Sequence, residues 1–166
     1  AYEITVPSGR LATSVDAALE IADDVGYPVV AKAVAAGLLH KTEQQAVHLN
    51  LNNPQAIRSS WAEIQQRFSV QKILLDGILV EKMIPGDAEF IVGLQNDPHF
   101  GPVIMLGTGG TLIHLFDDVT FRLLPVTAED IKTMLADLRG RRLIDGFRGR
   151  APLNEKALVH AVMAIA

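Results

Sequence analysis

The stretch Gly26-Tyr27-Pro28-Val29-Val30-Ala31-Lys32-Ala33-Val34 decides the reading of this chain. From Tyr27 to Val34 it is short, apolar and β-branched, which predicts a buried strand, yet it carries one lysine in mid-run. An unpaired ammonium is expensive to bury, so Lys32 must meet an anion or water. A phosphate would serve; a lysine at a surface strand edge would leave the same pattern. Just upstream, Thr13 to Val25 reads as a helix with Val15, Leu19, Ala22 and Val25 on one face, stopped by Gly26 and Pro28.

Outward from this unit the pattern stays mixed. Residues 46–51 alternate as a second strand, and Asn53-Pro54 opens a helix in which Ile57, Trp61, Ile64 and Phe68 recur at helical spacing. Three β-like runs follow at 77–84, 88–94 and 102–106, separated by Pro85-Gly86 and Asn96-Asp97-Pro98, and their order predicts an antiparallel meander. Thr127 caps a helix that turns Ile131, Met134, Leu135 and Leu138 inward. Asn154 caps a last one with Leu158, Val159 and Val162, which reaches Ala166 without a stop signal, so the sequence reads as cut from a longer protein.

Composition narrows the function classes. The chain of 166 residues is long enough for a real core, and its lack of cysteine excludes thiol catalysis, a zinc ribbon and disulfides. Fifteen basic and 19 acidic residues are spread along it for a net charge of -4, which leaves no nucleic-acid footprint. The basic cluster Arg139-Gly140-Arg141-Arg142 reads as a solvated helix end. No apolar run approaches the roughly 20 residues of a spanning helix, and no signal layout opens the chain, so neither a membrane nor a nucleic acid is expected as partner and a cytoplasmic location is.

Two motifs carry possible phosphate chemistry. Gly107-Thr108-Gly109-Gly110 follows an apolar strand, where small residues let backbone N–H groups point into a shared concavity; it is neither a Walker loop nor a dinucleotide fingerprint. Leu38-Leu39-His40-Lys41-Thr42-Glu43 places a histidine and a lysine just after the lysine-bearing strand. A neutral imidazole accepts a phosphoryl group, and Glu43 could orient the ring through its other nitrogen. His48, His99, His114 and His160 are scattered without ligand-like pairing, so no metal centre is expected from them.

The ordered set of motifs resembles the ATP-grasp domain of NDP-forming acyl-CoA synthetases, the ADP-forming acetyl-CoA synthetase beta type of the succinyl-CoA synthetase superfamily. The pieces are Gly26 to Lys32, Leu39-His40-Lys41, Gly77 to Met83, Glu89 to Gly93, Asp97 to Val103, Asp118 to Leu123 and Gly146 to Gly149. The resemblance implies an α+β ATP-grasp fold of two α+β lobes, 1–75 and 76–166, the second C-terminally incomplete, with ATP or ADP held between them. It implies a ligase that interconverts acyl-CoA, ADP and phosphate with acid, CoA and ATP by way of phosphohistidine. His40 matches the relay histidine, and the CoA-binding and ligase domains belong to the same protein or a partner subunit.

Further roles follow from the same resemblance. Lys32 matches the lysine that contacts nucleotide phosphate; Glu81, Lys82 and Met83 match the hinge that reads adenine. Glu89 would face ribose or phosphate-bound metal, and Arg122 would clamp phosphate oxygens; Gly109 and Gly110 are candidates to hold phosphate from the glycine run itself. This chain departs from the family pattern over Gln44-Gln45-Ala46-Val47, where the family's Leu-His-Lys-Ser/Thr-x-x-Gly-Gly-Val carries a glycine pair before its valine, and at His114, where a glutamate is usual. The segment that supplies magnesium ligands in the family lies beyond Ala166, so Mg2+ is expected to be held largely outside this chain. The alternative is a degenerate nucleotide-sensing domain, as in lysine acetyltransferases of the GNAT type.

Overall fold

The computed structural model describes residues 4–36, 46–86, 88–110, 117–146 and 149–166. These fall into two compact units, Val6–Pro85 and Gly86–Ala166, the second also taking in the residues before Val6. The division comes after Pro85 rather than at the expected 75/76, because the strand that starts at Gly77 belongs to the first unit.

The first unit contains β1 (Gly9–Ala12), α1 (Val15–Val25), β2 (Val29–Val34), β3 (Val47–Leu51), α2 (Pro54–Val70) and β4 (Gly77–Lys82). Its sheet has the order β1-β4-β2-β3 with antiparallel neighbours throughout. This corrects the expectation that the run at 77–84 begins a meander. β4 is an inner strand between β1 and β2, and its Ile78 and Val80 are almost fully buried, as an inner strand of a one-sided sheet requires. Pro85-Gly86 is therefore the passage between units and not a hairpin turn.

Both helices cover one face of this sheet. Val29, Ala31, Ala33, Ile78 and Val80 form a core with Ala18, Ile21 and Ala22 of α1 and with Ile57, Ile64 and Phe68 of α2. The stripe on α1 is thus rotated from the predicted one: Val15, Leu19 and Val25 are only half-buried, while small alanines allow the helix close to the strands. The cap is Ser14, its hydroxyl accepting from the Ala17 N–H at 3.2 Å. Asn53 caps α2 through the Ala56 N–H at 2.9 Å, as its Asn-Pro start predicts.

The second unit contains β5 (Phe90–Asp97), β6 (Gly101–Thr108), β7 (Val119–Leu123), α3 (Ala128–Asp137), α4 (Arg141–Asp145) and α5 (Glu155–Ile165). Its three strands form an antiparallel meander in chain order. Ile104 and Leu106 pack against Ile131, Met134 and Leu135 of α3 and Val162 of α5. The period of two sends Val103, Met105, Phe121 and Leu123 to the other face, where Phe121 and Leu123 are each 54% exposed. Among the described residues no helix is long and apolar enough to cross a membrane.

Candidate nucleotide site

Lys32 is half-buried on β2, and its ammonium donates to the Glu81 carboxylate at 2.5 Å. The pairing registers explain the contact. Lys32 lies opposite Leu79 and Val30 opposite Glu81, so Lys32 and Glu81 are diagonal neighbours on the same face of the β2–β4 ladder. That face is the one turned away from α1 and α2, since the intervening Ala31 and Val80 enter the core. The Lys32 and Glu81 side chains keep 34% and 16% of their exposure. A lysine amid valines is therefore neither stranded in the core nor at the sheet edge: it stands on an inner strand, neutralised by a carboxylate and open to a further anion.

Gly9 makes room for this pair. It lies opposite Glu81 on β1, and a Cβ there would come within 2.6 Å of Glu81 Cγ and 2.3 Å of the Val80 carbonyl oxygen. Sequence reading gave Gly9 no role; a glycine facing the carboxylate that pairs with Lys32 becomes visible only once β1 and β4 are known to pair.

Lys82 and Met83 continue β4 in other ways. The Lys82 side chain emerges on the helix-covered side and donates to the carbonyls of Gly26 and Tyr27, each at 2.9 Å, so its charge ties down the end of α1. The Met83 N–H donates to the Pro28 carbonyl at 3.0 Å, leaving its half-buried side chain as the element able to pack on a ring.

In the second unit, Glu89 and the glycine run come together. The Gly109 N–H donates to the Glu89 carbonyl at 2.7 Å, and the Thr108 N–H to the Asp118 carbonyl at 3.1 Å. Both N–H groups are spent extending the sheet, which corrects the expectation of several amides converging on a phosphate. The glycines answer to packing instead: a Cβ at Gly107 would approach the Asp118 carbonyl oxygen to 2.7 Å, and one at Gly109 the Glu89 carbonyl carbon to 3.0 Å. Gly110 differs, because its φ of +71° is the left-handed conformation that favours glycine. An added Cβ there would lie 2.8 Å from Glu89 Oε2, so an exposed carboxylate stands directly beside this turn.

Arg122 is elsewhere. It lies opposite Ile104 on the helix-covered face, donating from Nη2 to Asp137 of α3 at 2.9 Å and from Nη1 to the Phe121 carbonyl at 2.8 Å. It takes the part of a structural ion pair. The cluster Arg139 to Arg142 is likewise not a mere helix end: Arg141 begins α4 and binds Asp145 at 2.9 Å and Glu155 at 2.6 Å. A cavity of about 210 Å³ on the open face of this sheet, with Gln95, Val103, Met105 and Phe121 in its wall, touches none of the candidate residues and is smaller than the roughly 300 Å³ at which ligand pockets begin. Expectations for His40, Lys41, Glu43, Gln44, Gln45, His114 and Arg148 lie outside the described residues.

Two α+β units, one with a lysine–glutamate pair on inner strands and the other with a carboxylate beside a left-handed glycine, accord with the class: the chain belongs to the ATP-grasp domain family, whose model matches residues 1–166. Its particular kinship is with the ADP-forming acetyl-CoA synthetases. It is 34% identical over 169 residues to the beta subunit of acetate–CoA ligase (ADP-forming) II of Pyrococcus furiosus, covering 99% of this chain and 71% of the relative. Dinucleotide-forming acetyl-coenzyme A synthetase 1 of Ca. Korarchaeum cryptofilum, in complex with coenzyme A, Ca-AMPCP and HgCl+, superposes with a TM-score of 0.92 at 35% identity, over 98% of this chain and 72% of that one. The same synthetase with coenzyme A and Mg-AMPPCP, its phosphohistidine segment pointing towards the nucleotide site, gives 0.81 at 33% identity over 98% and 70%. These relatives are acid–thiol ligases, as the resemblance implied, and they lend no support to the acetyltransferase-linked alternative.

Proposed function

We propose that this chain is the nucleotide-handling part of an ADP-forming acyl-CoA synthetase and moves a phosphoryl group between His40 and ADP. The observation that carries the reading is the Lys32–Glu81 pair on the open face of the first sheet, in a chain matched end to end by the ATP-grasp family. In the ATP-forming direction, a β-phosphate oxygen of ADP attacks the phosphorus on the His40 imidazole. The new P–O bond forms as the P–N bond breaks, and the ring nitrogen keeps the electron pair. Little covalent work falls to the protein, so catalysis rests on alignment and charge neutralisation. Lys32 supplies a positive charge facing the phosphates, and Glu81 holds the ammonium in place between turnovers. Met83 packs on the adenine.

Mg2+ fits the same arrangement. Glu89, whose carboxylate stands beside the turn at Gly110, is the residue here that would hold Mg2+, and the ion would supply positive charge where phosphate and carboxylate otherwise repel. One carboxylate is in keeping with the few that magnesium takes beside phosphates. Among the described residues no cluster of three metal-ligating side chains exists, so the other ligands come from phosphate, water or residues not described. Arg122, committed to Asp137, has no part in the transfer. The CoA-binding and ligase domains would act with this chain as domains of one protein or as a partner subunit.

The test incubates the intact enzyme with Mg2+ and γ-labelled ATP. Acid-labile, base-stable label is expected in the wild type and absent in His40→Ala. A wild type that binds ATP by calorimetry yet takes no label would turn the assignment to nucleotide sensing.

A further inference from the structure

Asp118 is a buried carboxylate that the transfer above does not use. It is 6% exposed, and its charge meets no cation among the described contacts. Instead Oδ1 accepts the Arg139 N–H at 2.7 Å, while Oδ2 accepts the Gly140 N–H at 2.8 Å and the Thr108 hydroxyl at 3.2 Å. Thr108 is itself only 3% exposed. A carboxylate buried this deeply is costly unless its lone pairs are met by well-placed donors, and here both oxygens are engaged. Gly140 is part of the same fit, since a Cβ there would lie 2.3 Å from Thr108 Cγ2 and 3.0 Å from Asp118 Oδ2.

The contacts lead outward to the candidate site. Asp118 grips Thr108 by side chain and by main chain, the next residue, Gly109, donates to the Glu89 carbonyl, and Gly110 turns beside the Glu89 carboxylate. We infer that Asp118 is a positioning residue for the nucleotide site, fixing through Thr108 and Gly109 the place of Glu89 and the turn at Gly110. This rests on the reading of Glu89 and Gly110 as groups that face metal-bound phosphate. Acceptor character at both oxygens is what the position demands. Asparagine has the same size, but its NH2 would confront a backbone N–H on one side.

The experiment uses the intact enzyme with Asp118→Asn, Thr108→Val and Thr108→Ser. Calorimetry with Mg-ADP establishes binding by the wild type, and steady-state kinetics give separate KM values for ADP and for acyl-CoA. Asp118→Asn and Thr108→Val are expected to raise the KM for ADP by about tenfold, the weight of one well-placed hydrogen bond. The KM for acyl-CoA stays within about twofold, and Thr108→Ser, which keeps the hydroxyl, restores the KM for ADP. Should Asp118→Asn fail to fold, Thr108→Val carries the same comparison without touching a charge. Lowered melting temperatures with an unmoved KM for ADP would reduce Asp118 to a structural role and overturn the inference. A wild type that gives no heat with Mg-ADP removes the nucleotide reading itself, and this inference with it.

Discussion

The two sheets keep their candidate site residues in different places. In the first unit, Lys32 and Glu81 stand on inner strands, held by ladders on both sides and backed by the core under Ala31 and Val80. In the second, the strands present Met105, Phe121 and Leu123 to the open face, and the polar groups, Glu89 and Gly110, gather where strands begin and end. The first arrangement fixes a charge as firmly as the sheet itself. The second needs an added fastening, which the Asp118 cluster supplies. Where a charge must not move, the fold places it within a strand; where a loop must meet a ligand, buried polar contacts take over.

Removing the strand charge breaks the comparison most directly. Lys32→Met is expected to lower kcat/KM for nucleotide by about 100-fold or more, the scale of losing one preorganised electrostatic contact. Steady-state kinetics check it; a loss below tenfold would mean that the first sheet is scaffold and the second holds the phosphates.

Lys32 was legible in the sequence because an ammonium among valines needs an explanation. Its partner was not, since Glu81 lies 49 residues away and only the β2–β4 register brings the two together. The same limit hid β1, a four-residue strand without alternation, and with it the role of Gly9. It also misplaced β4: Pro85-Gly86 resembles a hairpin turn, and nothing local says which sheet a strand will join. Helices fared better, because caps and periodicity are local. Asn53, Thr127 and Asn154 cap as expected. The glycine run was overread: Gly107 and Gly109 are small because neighbouring backbone comes close, a fact of packing that leaves the same letters as a phosphate cradle.

A smaller effect sharpens the account of the second unit. Thr127 and Asp130 cap α3 reciprocally, and hydrogen bonds from the Thr127 side chain and backbone hold the Asp130 carboxyl below its ordinary range. A carboxyl depressed in the folded state contributes stability above its unfolded pKa of about 3.9, and that contribution disappears as pH falls through the lower folded value. Thr127→Ala should cost about 1 kcal/mol near neutral pH, and the difference from wild type should narrow below about pH 4. Urea unfolding at the two pH values measures it.

The smallest expected change is at Arg122. Arg122→Gln removes a partly exposed pair with Asp137, worth about 0–1 kcal/mol, and should leave the KM for nucleotide within about twofold. A large rise in that KM would show that the arginine leaves Asp137 for phosphate, and would bring the helix-covered face into the site.

The diagonal placement of Lys32 and Glu81 has one more consequence. Because side chains alternate along a strand, sliding β4 by a single residue against β2 would throw the glutamate to the helix side and leave the lysine alone. The slip would also carry that carboxylate into the core that Val80 now fills, so burial and charge pairing select the same register. The charge pair is thus a checksum on strand alignment: a chain that has zipped up one notch out of step forfeits its chemistry and its internal neutrality together.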